Sequence, residues 1–228
     1  MTHAMAEKGY KGMGMEGFVA RWYANLTGKS RQEFQALARR MADELPPGSR
    51  VLEVAPGPGY FAVELAKLGY PVTGLDISHT FVEIARKNAE QAGVRVEFRQ
   101  GDAAAMPFAD ESFDFLLCRA AFKNFTQPVR ALEEMHRVLR PGGRAVIIDL
   151  RRDASPECIS RAVDSMNTSA LNRFITRLTF RFMLLKRAYT TREFEEMVAQ
   201  TEFAAGKIHE DGFGLEIWLE REAGAAER

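Results

Sequence analysis

The sequence predicts an α/β fold in which helices cover both faces of a doubly wound, mostly parallel β-sheet. Short strands and helices alternate between residues 50 and 150, as expected for parallel strands joined by crossover helices. Several of the strands are nearly continuous apolar runs, for example 51–54, 113–117 and 145–148. Such runs are typical of strands that are buried on both faces.

The elements follow in a regular order. A glycine-rich N-terminal arm at 1–29, expected to be flexible, precedes the first regular helix at 30–45. Ser30 is its predicted N-cap, with Glu33 three residues later. The sheet region is predicted to contain strands at about 50–55, 71–75, 95–99, 113–118 and 144–150, with helices at about 59–68, 78–91 and 127–139.

The alternation changes after residue 150. A long helical stretch at about 156–187 replaces the short crossover, and Thr190 is predicted to cap a helix that runs to Gln200. Two final strands near 206–211 and 214–220 are too closely joined for a crossover and should pair antiparallel. We therefore expect a single domain over residues 30–228, preceded by the arm and carrying the stretch 156–187 as a helical lid.

Composition narrows the class of protein. The 228 residues include 31 basic and 31 acidic side chains, so no overall field attracts nucleic acid or an anionic membrane. Two cysteines, Cys118 and Cys158, do not make a disulfide framework. Residues 1–11 lack the apolar core of a signal peptide, and no run is long enough to span a membrane. These features favour a cytoplasmic protein with reduced thiols, although a local cluster of charge could still attract nucleic acid or a membrane.

A glycine turn after the first strand suggests a nucleotide cofactor. Gly57-Pro58-Gly59-Tyr60-Phe61-Ala62 fits the spacing G-x-G-x-x-G/A of dinucleotide sites. However, Pro56 and Pro58 lack the backbone N–H groups that bind a pyrophosphate. Glu53, at the end of the strand, would repel a phosphate and attract an ammonium or sulfonium group. The turn therefore favours a cationic ligand.

Two more acidic residues follow the next two strands. Asp76 ends the second strand, where a carboxylate can accept hydrogen bonds from both ribose hydroxyls. Asp102 follows the third strand and is placed to accept from an exocyclic amine. By contrast, Asp114, at the start of the fourth strand, is predicted to be structural.

Three motifs accompany this pattern: Gly101-Asp102-Ala103, Asp110-Glu111-Ser112-Phe113-Asp114 and Leu139-Arg140-Pro141-Gly142-Gly143. With them, about residues 45–150 resemble the class I S-adenosylmethionine-dependent methyltransferases, in the small-molecule group that includes ubiquinone and menaquinone biosynthesis enzymes. The resemblance implies a seven-stranded Rossmann-like sheet with an antiparallel last strand. It also implies methyl transfer from S-adenosyl-L-methionine to a small, aromatic or apolar molecule by in-line displacement, with S-adenosyl-L-homocysteine as product.

The resemblance also implies roles for individual residues. Glu53 would face the methionine amino group, Asp76 the ribose and Asp102 the adenine. Ala55 stands where the family more often has a third glycine. The other implied cofactor-binding residues are Gly57, Gly59, Tyr60, Ile77, Gly101, Ala103, Cys118 and Arg119, the last two through backbone atoms.

The arm, the lid and the segment after the fourth strand are expected to build the acceptor pocket. The candidate substrate-binding residues are Tyr10, Met15, Phe18, Trp22, Tyr23, Phe122, Lys123 and Arg187. Alternatively, the arm aromatics dock on the core, and Lys123 is merely solvated. The stretch 170–187 carries an apolar stripe and repeated arginines, so it is also compatible with a membrane surface or an acidic partner.

The sequence identifies no catalytic base. The four histidines are scattered without metal-ligand spacing, and methyl transfer can proceed by positioning alone. Two other functions stay open: an NAD-dependent oxidoreductase, and a noncatalytic protein that binds the cofactor or a partner.

Overall fold

The computed structural model of the protein describes residues 9–11, 14–164, 185–203 and 206–223. The strands are β1 (Val51–Val54), β2 (Val72–Asp76), β3 (Glu97–Gln100), β4 (Phe113–Arg119), β5 (Leu139–Leu150), β6 (Lys207–Asp211) and β7 (Gly214–Glu220). The helices are α1 (Gly17–Thr27), α2 (Arg31–Asp43), α3 (Tyr60–Lys67), α4 (His79–Gln91), α5 (Pro128–Val138), α6 (Pro156–Asp164) and α7 (Thr191–Val198). Short 3-10 turns lie at Gly28–Ser30 and Phe122–Asn124.

The strands form one seven-stranded sheet in the order β3-β2-β1-β4-β5-β7-β6. The first five strands pair in parallel, and β7 pairs antiparallel with both β5 and β6. The predicted fold class is thereby confirmed. Because β1, β2, β3 and β4 run in the same direction, the residues that follow them lie along one edge of the sheet.

Alternate residues of the strands supply two hydrophobic layers. In β1, Leu52 and Val54 pack into one layer and Val51 into the other. In β4, Leu116 packs into the same layer as Leu52, and Phe115 packs into the same layer as Val51. Full burial of one such side chain stabilises the fold by about 1.5–3 kcal/mol. Helices on both faces therefore hold the sheet as a rigid platform for the loops at its edge.

Strand β5 is longer than predicted. It was expected from residue 144, but it begins at Leu139, which pairs with Phe113. Gly142 donates its N–H to the Arg221 carbonyl at 2.9 Å, and Arg221 donates to the Gly143 carbonyl at 3.0 Å. These bonds satisfy the backbone of a Pro-Gly-Gly segment that otherwise reads as a helix stop.

The N-terminal region contains more regular structure than the sequence indicates. Helix α1 forms within the predicted arm, and a 3-10 turn connects it directly to α2. The Ser30 side chain makes no capping bond, because the chain enters α2 from this turn rather than from an extended segment. Ser30 therefore occupies the predicted N-cap position but makes no side-chain capping bond, while the division of the chain into an arm and a domain stays a prediction.

The region after β5 agrees with the prediction in part. Helix α6 starts at the expected place, residues 165–184 lie outside the described residues, and residues 185–187 form a turn rather than a helix end. Thr190 caps α7 as predicted: its hydroxyl accepts from the Glu193 N–H, and the Glu193 carboxylate accepts from the Thr190 N–H. Within the described ranges, none of the helices has both the length and the apolar character needed to cross a membrane.

Candidate functional site

The turn between β1 and α3, residues 55–59, contains three residues with left-handed backbone conformation. Ala55, Gly57 and Gly59 have φ values of 56°, 55° and 73°. A Cβ added at Gly59 would lie 2.8 Å from both Ala85 and Phe98, so this glycine is needed for helix packing. At Gly57, a Cβ would meet none of the described atoms within 4 Å. The turn is therefore open at Gly57, where a ligand can approach the backbone.

Glu53 is buried beside this turn. Its Oε2 accepts a hydrogen bond of 3.0 Å from the Ala62 N–H, in the first turn of α3. Removal of the carboxyl from water raises the pKa of Glu53 to about 8, although the Ala62 bond and the nearby Arg119 oppose the rise. A cation beside this carboxyl would reverse the effect by favouring its charged form.

Asp76 connects the turn to the second strand. Its Oδ2 accepts from the Gly57 N–H and its Oδ1 from the Ser78 N–H, both at 2.9 Å. Burial raises the pKa of Asp76 to about 6, and these backbone donors lower it. The side chain is thus held in one orientation at the end of β2, next to the open glycine.

Asp102 lies after β3, which is the neighbour of β2. Its Oδ1 accepts from the Ala104 N–H at 2.9 Å, and Gly101 donates its N–H to the Asp76 carbonyl at 2.9 Å. Ala103 is buried, whereas Ile77, between the two acidic residues in the chain, is 37% exposed. The structure therefore brings the three predicted acidic residues to the ends of three adjacent strands.

Cys118 and Arg119 end β4 on the other side of β1, with Cys118 in register with Val54. Cys118 is buried, and this burial raises the pKa of its thiol well above the ordinary value. The Arg119 guanidinium lies 4.9 Å from the centre of the Phe34 ring and 3.7 Å from the Glu33 carboxylate. Arg119 thus joins the edge of the sheet to α2.

The Tyr60 side chain contacts the N-terminal helices. Its hydroxyl donates to the Ala24 carbonyl at 2.9 Å, and its ring packs against Phe34 and lies below Arg31. This side chain connects α3 with α1 and α2, and the cofactor contact of Tyr60 stays a prediction.

Part of the N-terminal arm lies over the strand ends. Tyr10 forms an isolated antiparallel bridge with Phe125. Its side chain is half-buried, and this partial removal from water raises the pKa of its hydroxyl. The Met15 carbonyl accepts from the Ser78 hydroxyl at 2.6 Å. Gly9 sits against Asp102: a Cβ there would lie 2.7 Å from the carboxyl carbon.

The other candidate substrate residues are more widely separated. Phe122 is buried among Phe125, Tyr189 and Phe194, and Tyr23 packs edge-on against Phe81. Two candidates, Phe18 and Trp22, are exposed on α1 instead. Arg187 is exposed and donates to the Lys11 carbonyl at 3.1 Å, so it holds the arm.

Lys123 forms a buried ion pair that the sequence did not indicate. Its Nζ donates to Asp149 Oδ1 at 2.7 Å and to the Ala120 carbonyl at 2.6 Å, while its N–H donates to Asp149 Oδ2 at 2.9 Å. Both side chains are 6% exposed, so the alternative of a solvated Lys123 is wrong. Removal of one partner from a buried pair costs about 3–5 kcal/mol, and the pair therefore fixes the loop after β4.

A cavity of about 960 Å³ lies at the carboxyl ends of β4 and β5. Its wall includes Tyr23, Leu26, Phe34, Arg119, Ile148, Asp149, Leu150, Cys158, Arg161, Phe213 and Leu215. Tyr23 is a predicted substrate residue and Arg119 a predicted cofactor residue. Helices α1 and α6, which also line the cavity, belong to the predicted arm and lid. The walls from α2, β5 and the β6–β7 hairpin are not indicated by any local pattern in the sequence.

No group of three or more His, Cys, Asp or Glu side chains in the described part of the chain is arranged to hold a metal ion. His136, one of the four histidines, packs edge-on against Phe203 at 5.0 Å and lies 3.5 Å from Glu202. It therefore covers the core instead of lining the strand ends.

Comparison with known proteins supports the interpretation of this edge of the sheet. Residues 52–147 match the family model described as "Methyltransferase domain". The demethylmenaquinone methyltransferase of Deinococcus radiodurans is 39% identical over 108 residues, covering 46% of this chain and 45% of the relative. The ubiquinone/menaquinone biosynthesis C-methyltransferase of Roseobacter denitrificans is 35% identical over 139 residues, 58% of this chain and 55% of the relative. The chain spans about half the length of the curated relatives it matches.

Solved structures share the fold more completely. A Methanococcus maripaludis protein, proposed to be an S-adenosyl-L-methionine-dependent methyltransferase, has a TM-score of 0.75 at 17% identity and covers 97% of this chain and 99% of its own. An Aquifex aeolicus protein described as a SAM-dependent methyltransferase has a TM-score of 0.62 at 18% identity, covering 83% of this chain and 97% of its own. The resemblance indicated by the motifs is confirmed over residues 52–147.

Proposed function

We propose that this chain, whose residues 52–147 match the methyltransferase-domain family, transfers a methyl group from S-adenosyl-L-methionine to a small, apolar or aromatic molecule. The observation that carries the proposal is the arrangement at the strand ends. Glu53, Asp76 and Asp102 lie at the ends of β1, β2 and β3, next to a turn that is open at Gly57. Three acidic groups around an open backbone suit a cationic nucleoside.

The residues present fit this cofactor. We propose that Glu53 binds the methionine ammonium group, Asp76 the ribose hydroxyls, and Asp102 with Ala103 the adenine. Asp76 is already oriented by the Gly57 and Ser78 N–H groups, and each carboxylate oxygen has a further lone pair for a hydroxyl donor. S-adenosyl-L-methionine, when bound, supplies a methyl group that is activated by its sulfonium.

The cavity bounded by Tyr23, Arg119 and Asp149 is the proposed acceptor site. Arg119 connects it to the cofactor residues, because this side chain lies in the cavity wall and its charge acts on Glu53. Its volume of about 960 Å³ is at the upper end of ordinary ligand pockets, which are about 300–1,000 Å³. Since matched relatives are named for demethylmenaquinone and ubiquinone/menaquinone biosynthesis, demethylmenaquinone is the first acceptor to test.

The proposed contribution of the protein is positioning. Asp149, the acidic residue at this end of β5, accepts from Lys123 and from the Leu150 N–H, so its orientation is fixed. Alignment of donor and acceptor alone lowers a barrier by about 7–11 kcal/mol. The scheme therefore needs no covalent nucleophile.

An NAD-dependent oxidoreductase is not favoured. Pro56 and Pro58 are buried in the turn where a pyrophosphate would need backbone donors. A noncatalytic role is distinguished by turnover, because such a protein would bind the methyl donor without consuming it. We also propose a cytoplasmic location, since Cys118 and Cys158 are both free.

The decisive experiment measures cofactor binding and turnover on the full chain. Calorimetry with S-adenosylhomocysteine and with NAD should show binding of the first only. Asp76→Asn should weaken that binding at least about tenfold, because a hydrogen bond to a charged group contributes about 1.5–3 kcal/mol. Methyl transfer to demethylmenaquinone and to simpler phenols is then followed with labelled donor.

Asp114→Asn is the matched control. Asp114 accepts from the Arg50 N–H at 2.7 Å and from Arg140 at 2.9 Å, at the opposite end of the sheet, as the predicted structural role requires. This variant should lose stability and keep its cofactor affinity. Equal loss of affinity in both variants would contradict the ribose assignment, and binding without turnover on any acceptor would contradict the enzymatic proposal.

A further inference from the structure

Helix α1 has one face on the domain and one face in solvent. Ala20 and Ala24 are buried at 0% and 5% exposure, and the Ala24 carbonyl accepts from Tyr60. On the opposite side, Phe18, Trp22 and Leu26 are 79%, 56% and 49% exposed. Because these three residues are spaced by four, they form one continuous apolar stripe along the helix.

The charged residues of α1 and of the 3-10 turn that follows it are positive. Arg21 and Lys29 are exposed at the same face, the second in the 3-10 turn that continues α1. The exposed residues of α1 itself, as described, include no acidic side chain. Glu16, just before the helix, accepts from the His79 and Thr80 N–H groups at 2.9 and 3.0 Å, so its charge is directed to the start of α4.

We propose that this face, formed by Phe18, Arg21, Trp22, Leu26 and Lys29, docks on a lipid bilayer that carries anionic headgroups. Aromatic and leucine side chains next to basic residues are the composition of helices that lie in the membrane interface. Arginine and lysine can extend their charges to the headgroups while their apolar stems stay at the surface. The buried side of α1 keeps the helix attached to the domain.

The charge pattern distinguishes a lipid surface from a second copy of the chain. In a symmetric dimer the same patch meets itself, so Arg21 and Lys29 would face the same basic residues of the other copy. An anionic membrane instead attracts each basic residue near its surface. The flanking cations therefore favour the lipid.

The docking face also adjoins the cavity. Leu26 belongs to the apolar stripe and to the cavity wall, so a docked protein would hold that side of the cavity next to the bilayer. If the cavity is the acceptor site, an apolar acceptor can pass from lipid to protein at this point. This last step rests on the proposed function, whereas membrane docking itself does not.

The first test uses Trp22 as the reporter. The chain has two tryptophans, and Trp218→Phe leaves Trp22 alone. Vesicles of phosphatidylcholine with phosphatidylglycerol should shift the Trp22 emission to shorter wavelength, and vesicles of phosphatidylcholine alone should do so much less. No shift with either vesicle overturns the proposal, and so does an equal shift with both.

The second test compares surface variants in vesicle sedimentation. Phe18→Ser should weaken binding at least about tenfold, since burial of a phenylalanine contributes about 1.5–3 kcal/mol. Leu68→Ser is the control, because Leu68 is 44% exposed on another surface. The pair Arg21→Gln and Lys29→Gln should weaken binding to anionic vesicles by about tenfold or more, and the exposed pair Lys87→Gln and Lys207→Gln should not.

Circular dichroism and S-adenosylhomocysteine binding verify that each variant is folded, so failure of docking is separate from failure of the proposed activity. Equal binding by the docking-face and control variants overturns the proposal. Sedimentation equilibrium without lipid tests the other occupant: a concentration-dependent dimer lost in Phe18→Ser would assign the face to a second copy and overturn the lipid assignment.

Discussion

At the scale of single residues, Glu53 shows how the fold prepares a charged group for a ligand. The carboxyl is withdrawn from water at the end of β1, and this burial raises its pKa to about 8. Asp76 is shifted in the same direction, to about 6. Without a ligand, burial therefore favours the neutral form of Glu53 near pH 7, and a cation beside this carboxyl would favour its charged form. The cost of this burial should be visible in the stability of the protein.

We expect the free energy of unfolding of the ligand-free protein to decrease as the pH rises from about 6 to about 8. In this range the folded protein holds a proton on Glu53 that the unfolded chain, with an ordinary value of 4.5, has already lost. Folding therefore takes up a proton, and stability falls by up to about 1.4 kcal/mol per pH unit. Asp76, whose pKa is raised to about 6, acts in the same sense mainly below this range.

The measurement is urea unfolding at several pH values. Glu53→Gln keeps an oxygen that can accept from the Ala62 N–H but does not titrate, so its stability should vary less between about pH 6 and about pH 8. Parallel curves for the native protein and the variant would show that Glu53 has an ordinary pKa in the fold.

At the scale of elements, the two glycines of the turn have different roles: Gly59 permits close packing, and Gly57 leaves the backbone open to a ligand. Gly57 and Gly59 both need a left-handed backbone, but only Gly59 is pressed against Ala85 and Phe98. Ala55 adopts φ of 56°, so an alanine takes the strained position where the family more often has glycine. Each residue of this turn therefore has its own constraint.

We expect Gly57→Ala and Gly59→Ala to fail in different ways. At Gly57 the new methyl group enters open space, so the unfolding free energy should fall by about 1–2 kcal/mol from backbone strain, while cofactor affinity falls as well. At Gly59 the methyl group also meets Ala85 and Phe98 at 2.8 Å, and overpacking adds about 1–3 kcal/mol.

Gly142→Ala is the matched control for Gly57→Ala. Gly142 has φ of 77°, and a Cβ there meets none of the described atoms within 4 Å. It lies near the amino end of β5, whereas the candidate site lies at the carboxyl ends of the strands. It should lose similar stability and keep its affinity for S-adenosylhomocysteine. If calorimetry shows equal affinity for both variants, the cofactor does not approach Gly57.

Elements with a strong local pattern were predictable from the sequence. The parallel strands and the Thr190 capping box depend on neighbouring residues. They appear where expected to within a few positions, apart from the early start of β5 at Leu139. Helix α1 was missed because five glycines in residues 1–29 obscure its short pattern. The Lys123–Asp149 pair joins residues 26 positions apart, and such a contact has no local signature.

At the scale of the whole molecule, the site depends on segments from both ends of the chain. The acidic residues were predictable because parallel strands bring their ends together. The cavity was predictable only in part: α1 and α6 belong to the predicted arm and lid, but the walls from α2, β5 and the β6–β7 hairpin depend on contacts distant in sequence. The arm adds a further link: Lys11 donates its N–H to the Asn124 carbonyl at 2.6 Å and its ammonium to the Tyr189 hydroxyl at 2.9 Å.

This link can be broken at Gly9. A Cβ at Gly9 would lie 2.7 Å from the Asp102 carboxyl carbon and 2.8 Å from the Ile77 Cδ1, so Gly9→Val should displace the arm from the site. We expect trypsin to cleave after Lys11 about fivefold to tenfold faster, because about one backbone hydrogen bond is lost. Dissociation of S-adenosylhomocysteine should accelerate in parallel, since Asp102 is the proposed adenine ligand and the arm lies against it.

Gly14→Val is the control for Gly9→Val. An added Cβ at Gly14 meets none of the described atoms within 4 Å, so the variant changes the same arm in the same way without pressing on the site. Stopped-flow dissociation and timed proteolysis should show native behaviour for Gly14→Val and fast phases for Gly9→Val. If the two variants behave alike, contact between the arm and Asp102 does not retain the cofactor, and retention has to come from the strand ends alone.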